Sequence, residues 1–265
     1  MRAGCPVIHA IRNSDKVRGL TACHNKLYVL RDAYETQVDT YDIHTYQFRK
    51  RRFVAGNDLW DMTCSMRDDC LYMSNFKMKK LHKVIVAGLS AELTLNDFEP
   101  RGLAVMSNGN LLVTCRSPNA LLEVDGDGGG VIVNTILLPK SVEVPWHAVQ
   151  LSTGNFAVCH GCGLKRQHGV SIVERSGHVT RSYGNKCGSR SDQLNVPCHL
   201  AVDEDDFIFV ADCFNKRVTL LSPTLAFMYH LTDQMSYRPQ RLCLDRVAQR
   251  LYVCQRFGDV LVMQL

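Results

Sequence analysis

Long apolar runs are missing from this chain. No stretch of about 18 or more apolar residues occurs, so nothing reads as a membrane-spanning helix. The N-terminal MRAGCPVIHAIRNSDK lacks the extended apolar core of a secretory signal. Low-complexity tracts and Pro/Gly/Ser-rich spacers are absent too, which leaves no linker and leads to the expectation of a single domain over residues 1–265. Catalytic signatures are equally scarce, with no Ser/His/Asp set, paired carboxylates or phosphate-cradling loop in a supporting context. The GDGGG at residues 126–130 joins two strand-like runs rather than a strand and a helix, so it reads as a hairpin turn.

What the chain does have is repetition. PRGLAVMSNGNLLVTCRS from Pro100, PWHAVQLSTGNFAVCHGC from Pro145, PCHLAVDEDDFIFVADCF from Pro197 and PQRLCLDRVAQRLYVCQR from Pro239 share a proline, an apolar strand, a polar turn and a second apolar strand. Fainter copies, VRGLTACHNKLYVLRD and LWDMTCSMRDDCLYMSN, begin at Val17 and Leu59. Six copies at roughly 40–50 residues match the period of a β-propeller, whose four-stranded blades pack face to face. The last copy, ending GDVLVMQL, has three strands only. The expectation is therefore an all-β, six-bladed β-propeller of antiparallel blades beginning near residues 17, 59, 100, 145, 197 and 239. Residues 6–12 complete the last blade and close the ring, which removes open sheet edges.

The segment VPCHLAVDEDDFIFVADCFNKRVTLLSP resembles an NHL repeat, through its proline and A-V-D start, its V-A-D and its N-x-R-V. Asp206 stands where that repeat usually has Gly. Tripartite-motif NHL proteins carry six such repeats as a propeller that selects a protein or RNA target, while separate zinc modules carry ubiquitin-ligase activity. The resemblance implies a non-catalytic recognition module, not an enzyme, and this chain lacks those zinc modules.

Asp212, Asn215 and Arg217 bring a carboxylate, an amide and a guanidinium within six positions, yet a tight inter-strand loop needs such groups to bond its own backbone. They are read as structural. The 12 cysteines are read as reduced thiols of a cytoplasmic protein, with Cys64, Cys115, Cys159, Cys243 and Cys254 inside inner strands as small hydrophobes. A zinc site from Cys159, Cys162, Cys187, Cys198 and His199 fails on spacing, so no metal or cofactor is assigned.

Stacking the repeats places Gly19, Asp61, Gly102, His147, His199 and Arg241 on one tier of the innermost strands. That tier supports an alternative: a propeller hydrolase or lyase with a metal at the channel mouth, Asp61, His147 and His199 being its ligands. Arg241 on the same tier would repel the cation.

Charge divides between the two faces of the ring. The loops after each second strand carry Lys77, Lys79, Lys80, Arg116, Lys165, Arg166, Lys216 and Arg256, with Phe76, Phe214, Phe257 and the strand-entry residues Trp60 and Trp146 among them. The opposite face receives Asp68, Asp69, Asp125, Asp127 and the acidic run at 203–206, with Arg246 and Arg250 as exceptions. A basic face with interleaved rings suits single-stranded RNA or a protein partner. The run FRKRRF at 48–53 falls on an outermost strand, where Lys and Arg guard a sheet edge.

Overall fold

The computed structural model describes residues 5–54, 56–67, 69–85, 90–126, 130–163, 167–184, 186–232 and 235–265. Twenty-four strands, β1 to β24 in chain order, form six four-stranded antiparallel sheets among the described residues. The innermost strands are β2 (Lys16–Cys23), β6 (Leu59–Ser65), β10 (Pro100–Val105), β14 (Pro145–Gln150), β18 (Pro197–Val202) and β22 (Pro239–Asp245). Five of these begin at the first residue of an aligned repeat, and β2 begins one residue before Val17. β1 (Val7–Ile11) pairs antiparallel with β24 (Val260–Gln264), so one sheet holds both ends of the chain.

The blades form because each is apolar on both faces. Six hydrophobic clusters fill the six interfaces between blades; Leu30 and Met73 meet between the first and second, Leu112 and Val158 between the third and fourth. Tyr252 of the sixth blade packs with Leu27 and Val29 of the first and closes the circuit. Only the outermost strands face water, and β5 (Phe48–Phe53) is exposed along most of its length. Two of its arginines work inward: Arg51 bonds Asp39 at 2.7 Å and Arg52 donates to the Ile85 carbonyl of the next blade.

One irregularity repeats six times. Each innermost strand slips register with its neighbour within its first few residues: Val17/Gly19, Leu59/Asp61, Pro100/Leu103, Pro145/His147, Pro197/Leu200 and Pro239/Arg241. A leading proline costs no ladder bond there, and the bulge that follows re-aims the next side chains. The residues re-aimed are those of the tier read from the repeats. Glycine at two of the six positions is a matter of space: a Cβ on Gly19 would lie 2.5 Å from the Met62 Cβ, and one on Gly102 would lie 2.6 Å from the Trp146 carbonyl oxygen.

The cysteine expectation needs one correction. Cys23 and Cys64 are joined by a disulfide that ties the first blade to the second, while ten cysteines are free. Both lie near the ends of innermost strands of adjacent blades, a relation that a reading of Cys as a small hydrophobe overlooks. Among the described residues no helix is long and apolar enough to cross a membrane.

Candidate functional site

The bulges bring Asp61, His147, His199 and Arg241 together in the channel. Ligand atoms of Asp61, His147 and His199 all lie within 4.8 Å of one another, and among the described residues this is the one His/Cys/carboxylate group so gathered. Both imidazoles are buried and stacked, with ring centroids 3.7 Å apart. Arg241 spans the channel from the sixth blade to the second, pairing its Nε with Asp61 Oδ1 at 3.0 Å and donating through Nη2 to the Trp60 carbonyl. Asp61 Oδ2 accepts from the Leu103 N–H at 3.0 Å and lies 3.7 Å from His199 Nε2.

Backbone bonds settle where the imidazole protons sit. The Leu200 N–H donates to His147 Nδ1 at 3.4 Å and the Leu242 N–H to His199 Nδ1 at 3.3 Å. Each neutral ring therefore carries its hydrogen on Nε2. His147 Nε2 donates it to the Leu103 carbonyl at 3.1 Å, whereas His199 Nε2 faces Asp61 across the longer gap. These bonds run from each blade to the next, so the tier also stitches the ring.

Electrostatics follow from burial and from Arg241. Burial, then the neighbouring His199, pushes His147 down to about 3, and burial lowers His199 as well. Both rings are neutral near pH 7. Burial by itself would raise the Asp61 carboxyl, but Arg241 and then His199 outweigh it and hold Asp61 well below the usual carboxylate range. The donor set does not fit a divalent cation in this arrangement. Both Nδ1 lone pairs are taken by backbone N–H groups, both Nε2 atoms carry hydrogen, and the charge of Asp61 is already matched by a guanidinium.

On one side of this tier His147 and His199 border a cavity of about 230 Å³, with Thr21, Thr63, Gln150 and Arg246 at its wall. On the other side Arg241 borders a second cavity of about 160 Å³, beneath Trp60 and Trp146.

The basic loop face is more internally bonded than its sequence suggests. Lys77 pairs with Asp58 at 2.9 Å and Lys80 with Glu92 at 2.6 Å. Phe76 packs edge-on against Trp60, and Trp60 stacks on Trp146 with centroids 6.0 Å apart. Arg101, a residue outside the candidate loops, lies 3.5 Å from the Phe76 centroid and 4.8 Å from that of Trp60. Arg116 lies over Trp146 at 4.6 Å and Arg238 over Phe214 at 3.7 Å. Phe257, beside Tyr237, and Phe214 are exposed, and Arg256 flanks Phe257 at 5.9 Å. Lys79 and Lys216 hold left-handed turn positions, with φ of 53° and 54°. Lys165 and Arg166 lie outside the described residues, as do Asp68 and Asp127.

The loop of Asp212, Asn215 and Arg217 is structural. Asp212 accepts from the Asn195 N–H, Asn215 Nδ2 and Arg217 Nε, and Arg217 also donates to the Ser189, Arg190 and Gln193 carbonyls of the connection entering the fifth blade. Asp206, at the position where Gly is usual, adopts φ of 63° and accepts from the backbone and hydroxyl of Ser152 in the neighbouring blade.

No protein-family model matches the sequence, and no curated protein matches it. Among solved structures, virginiamycin B lyase from Staphylococcus aureus superposes with a TM-score of 0.69 at 12% identity, covering 97% of this chain and 99% of that one. A catalytically inactive histidine-to-alanine variant of that lyase with quinupristin gives 0.66 at 14% identity, over 97% of this chain and 87% of that one. The hydrazine synthase of Kuenenia stuttgartiensis gives 0.71 at 15% identity, over 94% and 83%. At such identities the likeness is one of fold, and it bears out the six-bladed propeller without singling out an NHL or tripartite-motif relationship. The expectation of a non-catalytic module that recognises RNA or protein is corrected: propellers named as enzymes superpose on nearly the whole chain.

Proposed function

We propose that this chain is an enzyme that opens a C–O bond of a small ester or lactone at the channel, by hydrolysis or elimination. The convergence of Asp61, His147, His199 and Arg241 beside an open cavity of about 230 Å³ carries the reading. A concave cavity with several polar side chains converging on it, here Thr21, Thr63, Gln150 and Arg246 beside the two histidines, is of the kind that takes a small molecule. His199 is the group we assign to donate a hydrogen bond to the oxygen on which charge develops, because its Nε2–H is the imidazole donor without a close carbonyl. Burial keeps that imidazole neutral, which suits a hydrogen-bond donor in a water-poor site. Asp61 orients it, and Arg241 fixes Asp61 while adding permanent positive charge. That a histidine-to-alanine variant of a superposing lyase is catalytically inactive supports seeking the reactive group here among histidines. The repeat itself we read as NHL-type, on the Asp212–Arg217 bonding of the fifth blade.

The test is a panel of small esters and lactones offered to the purified protein with and without a chelator. Turnover indifferent to chelation, reduced about 100-fold or more by His199→Gln with an unchanged circular dichroism spectrum, is expected. Turnover that survives His199→Gln, or none with any member of the panel, overturns the assignment.

A further inference from the structure

The cavity on the far side of the tier has its own chemistry. Lys16, Arg18, Arg241 and Arg256 border it together with Trp60 and Trp146, and among the described residues no carboxylate contributes to its wall. Two of the four cations are neutralised from outside the cavity, Arg18 by Asp32 at 2.6 Å and Arg241 by Asp61 at 3.0 Å. Lys16 and Arg256 have no carboxylate at ion-pair distance among the described residues. Lys16 is held below its ordinary value, first by burial and then by Arg18, with Asp32 opposing. A concave, low-dielectric wall of one sign focuses field onto an anion. The stacked indoles add a flat apolar wall, held in place by the Trp146 Nε1 bond to the Gly161 carbonyl and by Arg101 against Trp60.

We infer that this mouth is a second binding site, for a small planar anion such as an aromatic carboxylate or phosphate, with Lys16 and Arg256 as its unmatched charges and Trp60 and Trp146 as its platform. A cavity of about 160 Å³ admits one ring and its acidic group. The site does not depend on turnover at the opposite cavity, from which the Arg241–Asp61 bridge separates it.

The two tryptophans of the chain both border the cavity, so intrinsic fluorescence reports its occupancy directly. The experiment titrates the intact protein with 4-nitrobenzoate and, separately, with the uncharged 4-nitrobenzamide. Saturable quenching by the carboxylate is expected, with the amide weaker by about tenfold and the carboxylate's affinity falling as salt rises. Lys16→Glu combined with Arg256→Glu lowers affinity for the carboxylate at least about tenfold and leaves that for the amide unchanged; both side chains reach solvent, so folding is preserved. His199→Gln leaves binding intact, which separates failure of this site from failure of the reaction at the other. Equal quenching by acid and amide, indifference to the double charge reversal, or no saturable quenching up to the probe's solubility overturns the proposal.

Discussion

Buried imidazoles make this molecule sensitive to acid in a direction that can be worked out group by group. His147 is held at about 3 and His160 at about 4, burial being the first cause of each, and His199 is lowered too. In the unfolded chain a histidine titrates near about 6.5, so below that pH the unfolded state binds more protons than the folded one. Their contribution is complete above about pH 6.5 and is lost progressively as pH falls toward the folded values. Asp61, lowered by Arg241 against the effect of burial, adds a loss of the same sign at still lower pH. Urea midpoints should be level between pH 7 and 8 and decline from pH 6.5 to 4, and His147→Asn should make the decline shallower. A midpoint that is flat down to pH 4 contradicts the buried neutral state. The tier itself was legible in the sequence, because aligned repeats put equivalent residues at equivalent radii. What was not legible is that Arg241 matches Asp61 rather than opposing a metal, since that bond crosses the channel between blades 180 positions apart in the chain. Arg101 was missed for a related reason: it sits on a strand, and only the assembled ring brings it over Phe76 and Trp60.

At the scale of the strand, the six bulges explain how a repeat built for packing delivers polar groups to a channel. Strict alternation would send successive side chains into the interfaces on either side of the blade. Slipping register after the first residue lets the third position of Leu59–Trp60–Asp61 and Pro239–Gln240–Arg241 leave that pattern. Apolar runs and turns mark the strands in the sequence, but a bulge has no signature of composition, so its effect emerged only with the paired backbones. The disulfide belongs to this scale as well. Cys23 and Cys64 hold two neighbouring inner strands at a sequence separation of 41, and a crosslink of that span contributes about 2–4 kcal/mol. Thiol titration of the denatured, unreduced protein should find ten groups, and reduction should lower the melting temperature by roughly 5–10 °C. Twelve reactive thiols in protein purified under oxidising conditions would remove the crosslink from the account.

The whole ring depends on a strand contributed by the beginning of the chain to a sheet made by its end. β1 covers β24 along Val7, His9, Ala10 and Ile11, and Ile11 is buried in the cluster shared by the first and sixth blades. Deleting residues 1–13 exposes the ladder edge of β24 and opens that cluster. We expect the melting temperature to fall by at least about 5 °C, with a truncated protein more prone to self-associate through the bare edge. An unchanged melting curve would place closure elsewhere. Blade number and strand starts could be read directly from the repeats because period and strand length are local properties. The candidate site was harder to weigh, because the face that looked basic and aromatic in a linear reading is largely consumed by contacts within itself, while the channel groups come from single positions spread over four blades.

Joining the two chain ends within one sheet has a topological result. Each blade touches a neighbour on either side, and none is terminal, so no blade serves as a cap and the order in which the blades are strung on the chain is incidental to the object they form. A linear stack of repeats can fray from its ends and shed units one at a time. This circuit has no such starting point: opening any one of the six seams relieves the constraint on the other five, and the Arg241–Asp61 bond across the channel ties the sixth blade to the second from inside the ring.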